Sequence, residues 1–271
     1  MITGFDHVVI AVRDLAAGVA AYETLLGARA VMREADGVAT GLIATPNFAV
    51  ELMAPLESPA SAHVGRRDAG GPRERLLAAL EDGEGLKSLV FAARDLDALH
   101  KRAERVGLAP EPITEGEGYR RFRAGKQSTH GVRLFFLERA EQAKAAPACD
   151  VLGVDHIVVR TPDPERAAAL YGARLGLDMR LDRELMDRRL MFFRCGDAIL
   201  EVVRMSSLKL DDLWGLSWRV KNVDAARARL VAAGVDVSVV RAGMKPGTRV
   251  FTVRDQSCGV PTLMLEAAAR A

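Results

Sequence analysis

The segment FDHVVIAVRDL at residues 5–15 returns as VDHIVVRTPD at residues 154–163, and this internal repeat restricts the fold more than any other feature of the chain. With His7 placed over His156, an Asp follows seven residues later (Asp14, Asp163) and a Tyr after fifteen (Tyr22, Tyr171). A Gly follows after twenty (Gly27, Gly176), and a Glu after 44 or 45 (Glu51, Glu201). Each opening run alternates apolar and polar residues and so reads as a strand; the Asp that ends it is a suitable cap for a helix. The helical spacing then runs to Gly27 or Gly176, where a left-handed residue can close it. Three short β-patterned runs follow in both copies, giving strand, helix and three strands.

The stretches between the copies repeat the same order more faintly. LKSLVFAARDLDALHKRAERVGLAPEP and LWGLSWRVKNVDAARARLVAAGVDVSV both run strand, capped helix, glycine, strand. Their last strands, HGVRLFFLERA and CGVPTLMLEAA, set Gly131 over Gly259 and Glu138 over Glu266; in that register Arg121 falls over Arg249 and Lys126 over Arg254. The order is A, B, A′, B′, a duplicated two-unit domain. The expected division is a first domain over 1–140, with units 1–54 and 85–140, and a second over 151–271, with units 151–206 and 213–271. A length of 271 residues suits two such cores. Residues 138–153 read as a linker. An insertion between A and B is expected to have a mobile Gly-rich front and then a short helix opened by Pro72.

A net charge of +2 implies neither nucleic acid nor an acidic membrane as partner. Cys149, Cys195 and Cys258 are too scattered for a disulfide framework or a thiolate zinc site. No leader pattern or long apolar run is present, so a cytoplasmic protein is expected, monomeric or homodimeric, with a small molecule as its partner.

Four βαβββ units, a histidine on the first strand, the helix pattern after it and a glutamate on the last strand together resemble the vicinal oxygen chelate superfamily. That group includes glyoxalases, epimerases, extradiol dioxygenases and bleomycin resistance proteins. The resemblance implies an α+β fold of two incomplete curled-sheet barrels. It makes His7 and Glu51, and likewise His156 and Glu201, metal ligands. The implied cofactor is a divalent metal (Zn, Ni, Mn, Fe or Co), with no organic cofactor, and imidazole with carboxylate suits such ions.

The partner units offer Ser88 and Phe135 in B, and Gly215 and Leu263 in B′, where such proteins carry further ligands. Glu138 and Glu266 lie an odd number of residues beyond and face the other side of the strand. Three readings are open. In one, unit A joins A′, so that His7, Glu51, His156 and Glu201 form one site; in another, half-sites bind metal with help from residues such as His130; in the third, the cavity binds without metal. The buried Glu51 and Glu201 each need a partner, which a histidine alone could supply. Arg121, His130 and Arg249 are candidate substrate-binding residues, the arginines for a carboxylate or phosphate. The leading reading is a metal-dependent lyase or isomerase acting through an enediolate, with Glu51 or Glu201 as base. Its alternative is metal-free small-molecule binding or sequestration. The missing ligands in B′ disfavour an extradiol dioxygenase.

Overall fold

The protein is described by a computed structural model covering residues 1–56, 70–140, 150–185, 188–255 and 257–268. Most of the Gly-rich front of the insertion and most of the linker, including Cys149, lie outside these residues.

The first half contributes strands β1 (Ile2–Ala11), β2 (Ala30–Ala35), β3 (Val38–Thr45), β4 (Phe48–Pro55), β5 (Gly85–Ala93), β6 (Thr114–Gly116), β7 (Tyr119–Arg123) and β8 (Arg133–Arg139). They form one eight-stranded sheet in the order β2-β3-β4-β1-β5-β8-β7-β6. Strands β9 (Val151–Thr161), β10 (Asp178–Leu185), β11 (Arg188–Cys195) and β12 (Ala198–Arg204) open the second half. With β13 (Asp212–Val220), β14 (Arg241–Ala242), β15 (Arg249–Val253) and β16 (Thr262–Glu266) they form a second sheet, ordered β10-β11-β12-β9-β13-β16-β15-β14. Unit A therefore joins B through antiparallel β1 and β5, and A′ joins B′ through β9 and β13. The arrangement of A with A′ in one site is overturned: parallel β1 and β4 hold His7 and Glu51 in one sheet, and β9 and β12 hold the other pair in the second.

The helices follow their caps. Asp14 accepts from the Ala17 N–H and starts α1 (Leu15–Leu26), which Gly27 closes at φ 65°. Pro72 opens α2 (Pro72–Glu81). Asp95 and Asn222 cap α3 (Leu96–Arg105) and α5 (Val223–Ala232). The helix α4 (Pro164–Ala168) is capped by Asp163 but widens into a π turn over Ala169–Arg174. Gly172, the least helix-favouring residue of that segment, lies within this turn.

One apolar core runs through both halves. It collects one face of each sheet, including Val8, Ile10, Phe91 and Phe136 from the first and Ile157, Val159, Trp218 and Met264 from the second. Tyr22 and Tyr171 are buried within it, as packing residues. The rings of Phe48 and Trp218 meet across the halves at 5.9 Å. Burying a side chain of this size contributes roughly 1.5–3 kcal/mol. Each sheet's other face is turned away from this core, and we call it the open face. At one end of the first open face, Leu76 and Leu80 of α2 pack on Ala11, Val38 and Met53.

Polar contacts seal the halves reciprocally. Arg229 on α5 donates to the carbonyls of Thr24 (2.6 Å) and Leu25 (3.1 Å) at the end of α1. Arg102 on α3 donates to the carbonyls of Ala173 and Arg174 at the end of the π turn. These are last-turn carbonyls without helical partners, at a helix end that favours a cation.

Replacing Arg229 by Met, which removes these bonds and its 3.0 Å pair with Asp150, is expected to lower the unfolding free energy by about 1.5–3 kcal/mol, the range for a hydrogen bond to a charged group. The exposed Arg29–Glu23 pair provides the comparison: Arg29→Met should cost under about 1 kcal/mol. Urea unfolding of both variants checks the difference; equal costs would count against the seal.

Candidate functional site

Strict alternation would send Asp6 and His7 to opposite faces, yet their side chains meet, and the reason lies in the ladder. The β1–β5 register steps from Phe5↔Phe91 to His7↔Val90, leaving Asp6 as the extra residue of a bulge. The β9–β13 register steps in the same way between Val154↔Trp218 and His156↔Ser217, leaving Asp155. Asp6 Oδ1 thus lies 2.6 Å from His7 Nδ1, and Asp155 Oδ2 lies 2.9 Å from His156 Nδ1. In the first half Arg139 donates two bonds to Asp6, at 2.7 and 2.9 Å. In the second the matching cation is looser, with Arg219 Nε 4.0 Å from Asp155.

The other imidazole nitrogen faces the glutamate. His7 Nε2 is 3.5 Å from Glu51, and His156 Nε2 is 3.3 Å from Glu201. His7 therefore stands between two carboxylates, an arrangement that suits an imidazolium donating both ways. Burial pulls its pKa down, but the bonds to Asp6 and Glu51 outweigh burial and leave it raised. Burial alone would raise Glu51; His7, Arg121 and Arg139 overcome it and hold that carboxyl below its usual range. Glu201 moves the other way, because burial, with Asp155 adding to it, prevails over His156 and Arg183. The duplicated pairs thus share a geometry and differ in charge.

Register places the neighbours of the first pair in rows on the open face. One row runs Leu42, Glu51, Val9, Ser88, Arg133; the next runs Ala49, His7, Val90, Phe135, Arg123. Ser88 and Phe135 do lie beside the pair, and neither is an effective metal donor. Among the described residues no group of three or more His, Cys, Asp or Glu is placed to hold a metal ion. Structural and catalytic zinc sites typically take three or four protein donors. Each sheet supplies two, and in the first half Arg121 and Arg139 already balance Glu51 and Asp6. This donor set does not fit a tightly held divalent metal.

Of the candidate substrate-binding residues, Arg121 alone is on an open face beside a pair, its guanidinium 5.6 Å from the Tyr119 ring centre and 5.8 Å from that of Phe135. His130 is instead at the boundary between halves: its carbonyl accepts from the Asp211 N–H, and Arg166, Asp211 and Arg174 surround its ring. Arg249 pairs through two bonds with Asp224 on α5, at 2.7 and 3.0 Å. The ladder explains this: Arg249 lies opposite Glu266, as Arg120 lies opposite Glu138, so Arg249 corresponds to Arg120. The sequence register was one residue off, which on a strand reverses the face. Glu138 and Glu266 accept from the first N–H groups of α3 and α5, on the core side as their odd spacing implies. Asp6, Asp155 and Arg139 were not anticipated. The repeated Asp-His dipeptide was their signal, concealed by the assumption of an unbroken strand.

A family model for a glyoxalase-like domain matches residues 5–176, and one for the Glyoxalase/Bleomycin resistance protein/Dioxygenase superfamily matches residues 155–252. Among solved structures, a 4-hydroxymandelate synthase mutant from Streptomyces coelicolor superposes with a TM-score of 0.75 at 12% identity, covering 100% of this chain and 95% of that one. The Mn(II)-bound glyoxalase from Novosphingobium aromaticivorans gives 0.70 at 20% identity, covering 98% and 82%. A 2,2',3-trihydroxybiphenyl 1,2-dioxygenase from Sphingomonas wittichii gives 0.70 at 14%, covering 98% and 91%. At these identities the likeness establishes the fold alone. Among curated proteins, none matches the sequence.

Asp6 gives a pH signature. Although burial opposes it, the bonds to His7 and Arg139 hold its carboxyl down at about 2, against a usual 3.8. Its contribution, about 2 kcal/mol, is therefore present above about pH 4 and lost as pH falls through about 2. Asp6→Asn should remove that share of acid destabilisation and lower the His7 pKa, read by urea unfolding between pH 5 and 2 and by imidazole NMR titration.

Proposed function

Because this chain belongs to the glyoxalase-like domain family, we propose that it acts on a small oxygen-bearing molecule held on the open face of the first sheet, by lyase- or isomerase-type proton transfer at His7 and Glu51. The observation that carries this reading is the half-buried Glu51, its carboxyl held below the usual range and set beside an imidazole that Asp6 and Arg139 hold in place. A carboxylate kept charged in partial burial, against an oriented imidazole, is suited to accepting a proton from carbon.

Substrate would enter between His7 and Glu51. Glu51 takes the proton from a hydroxyl-bearing carbon next to a carbonyl; the C–H electron pair forms the C=C bond and the carbonyl π pair moves onto oxygen, giving an enediolate. The imidazolium of His7 and the nearby Arg121 offset the new negative charge. His7 gives its proton to the former carbonyl oxygen and takes the one on the neighbouring hydroxyl, while Glu51 returns its proton to the former carbonyl carbon; this completes an isomerisation and restores both the carboxylate and the imidazolium. The first sheet is favoured over the second because its glutamate is held below its usual range by His7, Arg121 and Arg139, whereas burial and Asp155 push Glu201 up.

Two other readings have support. Simple binding or sequestration needs only the cavity. A divalent ion brought in with substrate is favoured by the way Asp6 and Asp155 hold Nδ1, since metal-bound imidazoles are commonly oriented through their second nitrogen.

Incubation with α-hydroxy aldehydes and ketones in D2O, followed by proton NMR, separates them. Exchange of the carbon-bound proton is expected, unaffected by EDTA and lowered about 10²–10⁴-fold in Glu51→Gln. Loss of exchange in EDTA would select the metal reading. Thermal stabilisation by these compounds without exchange would select the binding protein.

A further inference from the structure

The arginines around the first open face divide into two sets. Arg123 and Arg139 are each engaged by a carboxylate, of Glu111 and Asp6. Arg121 and Arg133 are not: among the described residues neither side chain makes a hydrogen bond or ion pair. Both belong to the open face, since Leu134, Phe136 and Phe122 between them face the core. The Arg121 guanidinium lies 5.6 and 5.8 Å from the centres of the Tyr119 and Phe135 rings, close enough for cation–π attraction. Arg133 is paired in register with Ser88, a buried serine whose hydroxyl also makes no hydrogen bond among the described residues. Burial and the Arg133 charge together pull the Lys87 amine below its usual value, against the opposing effect of Asp82. Positive charge therefore gathers beside Phe135, offset on Arg121 by the Glu51 carboxylate across the face but bonded directly to no carboxylate among the described residues.

The duplicate lacks this arrangement. In the corrected register Arg121 corresponds to Val250, Phe135 to Leu263 and Arg133 to Pro261. The second face carries Arg160 instead, already paired with Asp212 and lying 5.5 Å from the centre of the Trp214 ring. The grouping of two such arginines around a phenylalanine is therefore not a residue of the shared scaffold. On the second open face Arg183 of β10 is likewise without a hydrogen bond or ion pair among the described residues, but it stands near Glu201 at the other end of the sheet, with no counterpart of Arg121, Arg133 or Phe135.

We propose that Arg121 and Arg133, with Phe135 beneath and Ser88 between the strands, form a clamp for a small organic carboxylate with a flat apolar body. This names the substrate class of the face and rests on the reading of that face as the substrate site. A guanidinium edge matches a carboxylate through two parallel bonds, and a ring floor favours a planar body. Neighbouring strands lie ~4.8 Å apart, so the row from Glu51 through Val9 and Ser88 to Arg133 spans ~14 Å between backbones. Long side chains reaching inward from its ends bring an anion on the arginines and a reacting carbon at Glu51 within the length of one small molecule.

The test uses benzoate as probe on the full chain, with isothermal titration and thermal shift. Benzoate should bind and raise Tm, whereas neutral benzamide should do neither. Arg121→Gln and Arg133→Gln should each weaken benzoate at least tenfold, and Arg121→Lys should fall between wild type and Arg121→Gln. Arg249→Gln, on the helix side, should bind like wild type. Glu51→Gln should retain benzoate while losing proton exchange, so failure of the chemistry and failure of the clamp read separately. Benzamide equal to benzoate, or benzoate indifferent to both arginine changes, overturns the clamp. Phenyl phosphate held tenfold more tightly than benzoate overturns the carboxylate assignment.

Discussion

The antiparallel seam between β1 and β5, repeated between β9 and β13, is the contact on which the rest depends. It joins two units into a continuous sheet, and its bulge turns an acidic residue onto the histidine that follows. Without the extra residue, Asp6 would point away from His7, and Arg139 would have no carboxylate through which to hold the imidazole. The same irregularity in the second seam places Asp155 against His156. A break in regular pairing therefore creates the most ordered polar group in each half.

Much of the architecture was legible because it rests on local chemistry: caps at Asp14 and Asp163, closing glycines, and period-two strands. His7 and Glu51 were legible together because a carboxylate within an apolar strand requires a partner. What escaped was whatever depended on a single residue of register. Arg249 was set over Arg121 by counting from a loop of different length, and only the β-ladder shows that its counterpart is Arg120. Asp6 escaped for the same reason in reverse, since a bulge suspends the alternation used to assign faces. His130 escaped because its position depends on how the halves meet, which no local pattern encodes.

The two halves also illustrate how duplicated geometry diverges through charge. Each keeps an Asp-His-Glu line at nearly equal distances. In the first, His7, helped by Arg121 and Arg139 from β7 and β8, overcomes burial and holds the Glu51 carboxyl low; in the second, burial with Asp155 prevails over His156 and Arg183 and raises Glu201. The scaffold maintains a position, while the neighbouring strands decide the protonation state found there. Ser88, at the place of His7 in the next unit, shows the further stage, where the position persists after its ionisable group has gone.

Arg102 and Arg229 have an implication for how such a chain can be divided. Each completes the terminal turn of a helix belonging to the opposite half, and the core beneath them is continuous. Neither half is a finished folding unit: cut at the linker, each would expose its side of the shared core and leave one helix end open. A severed half would regain both by pairing with the other half, so the intact chain is in effect a two-fold dimer whose subunits have been tied together. Duplication and fusion then have a physical benefit of their own, since the tether makes that association independent of concentration and frees the two copies to differ.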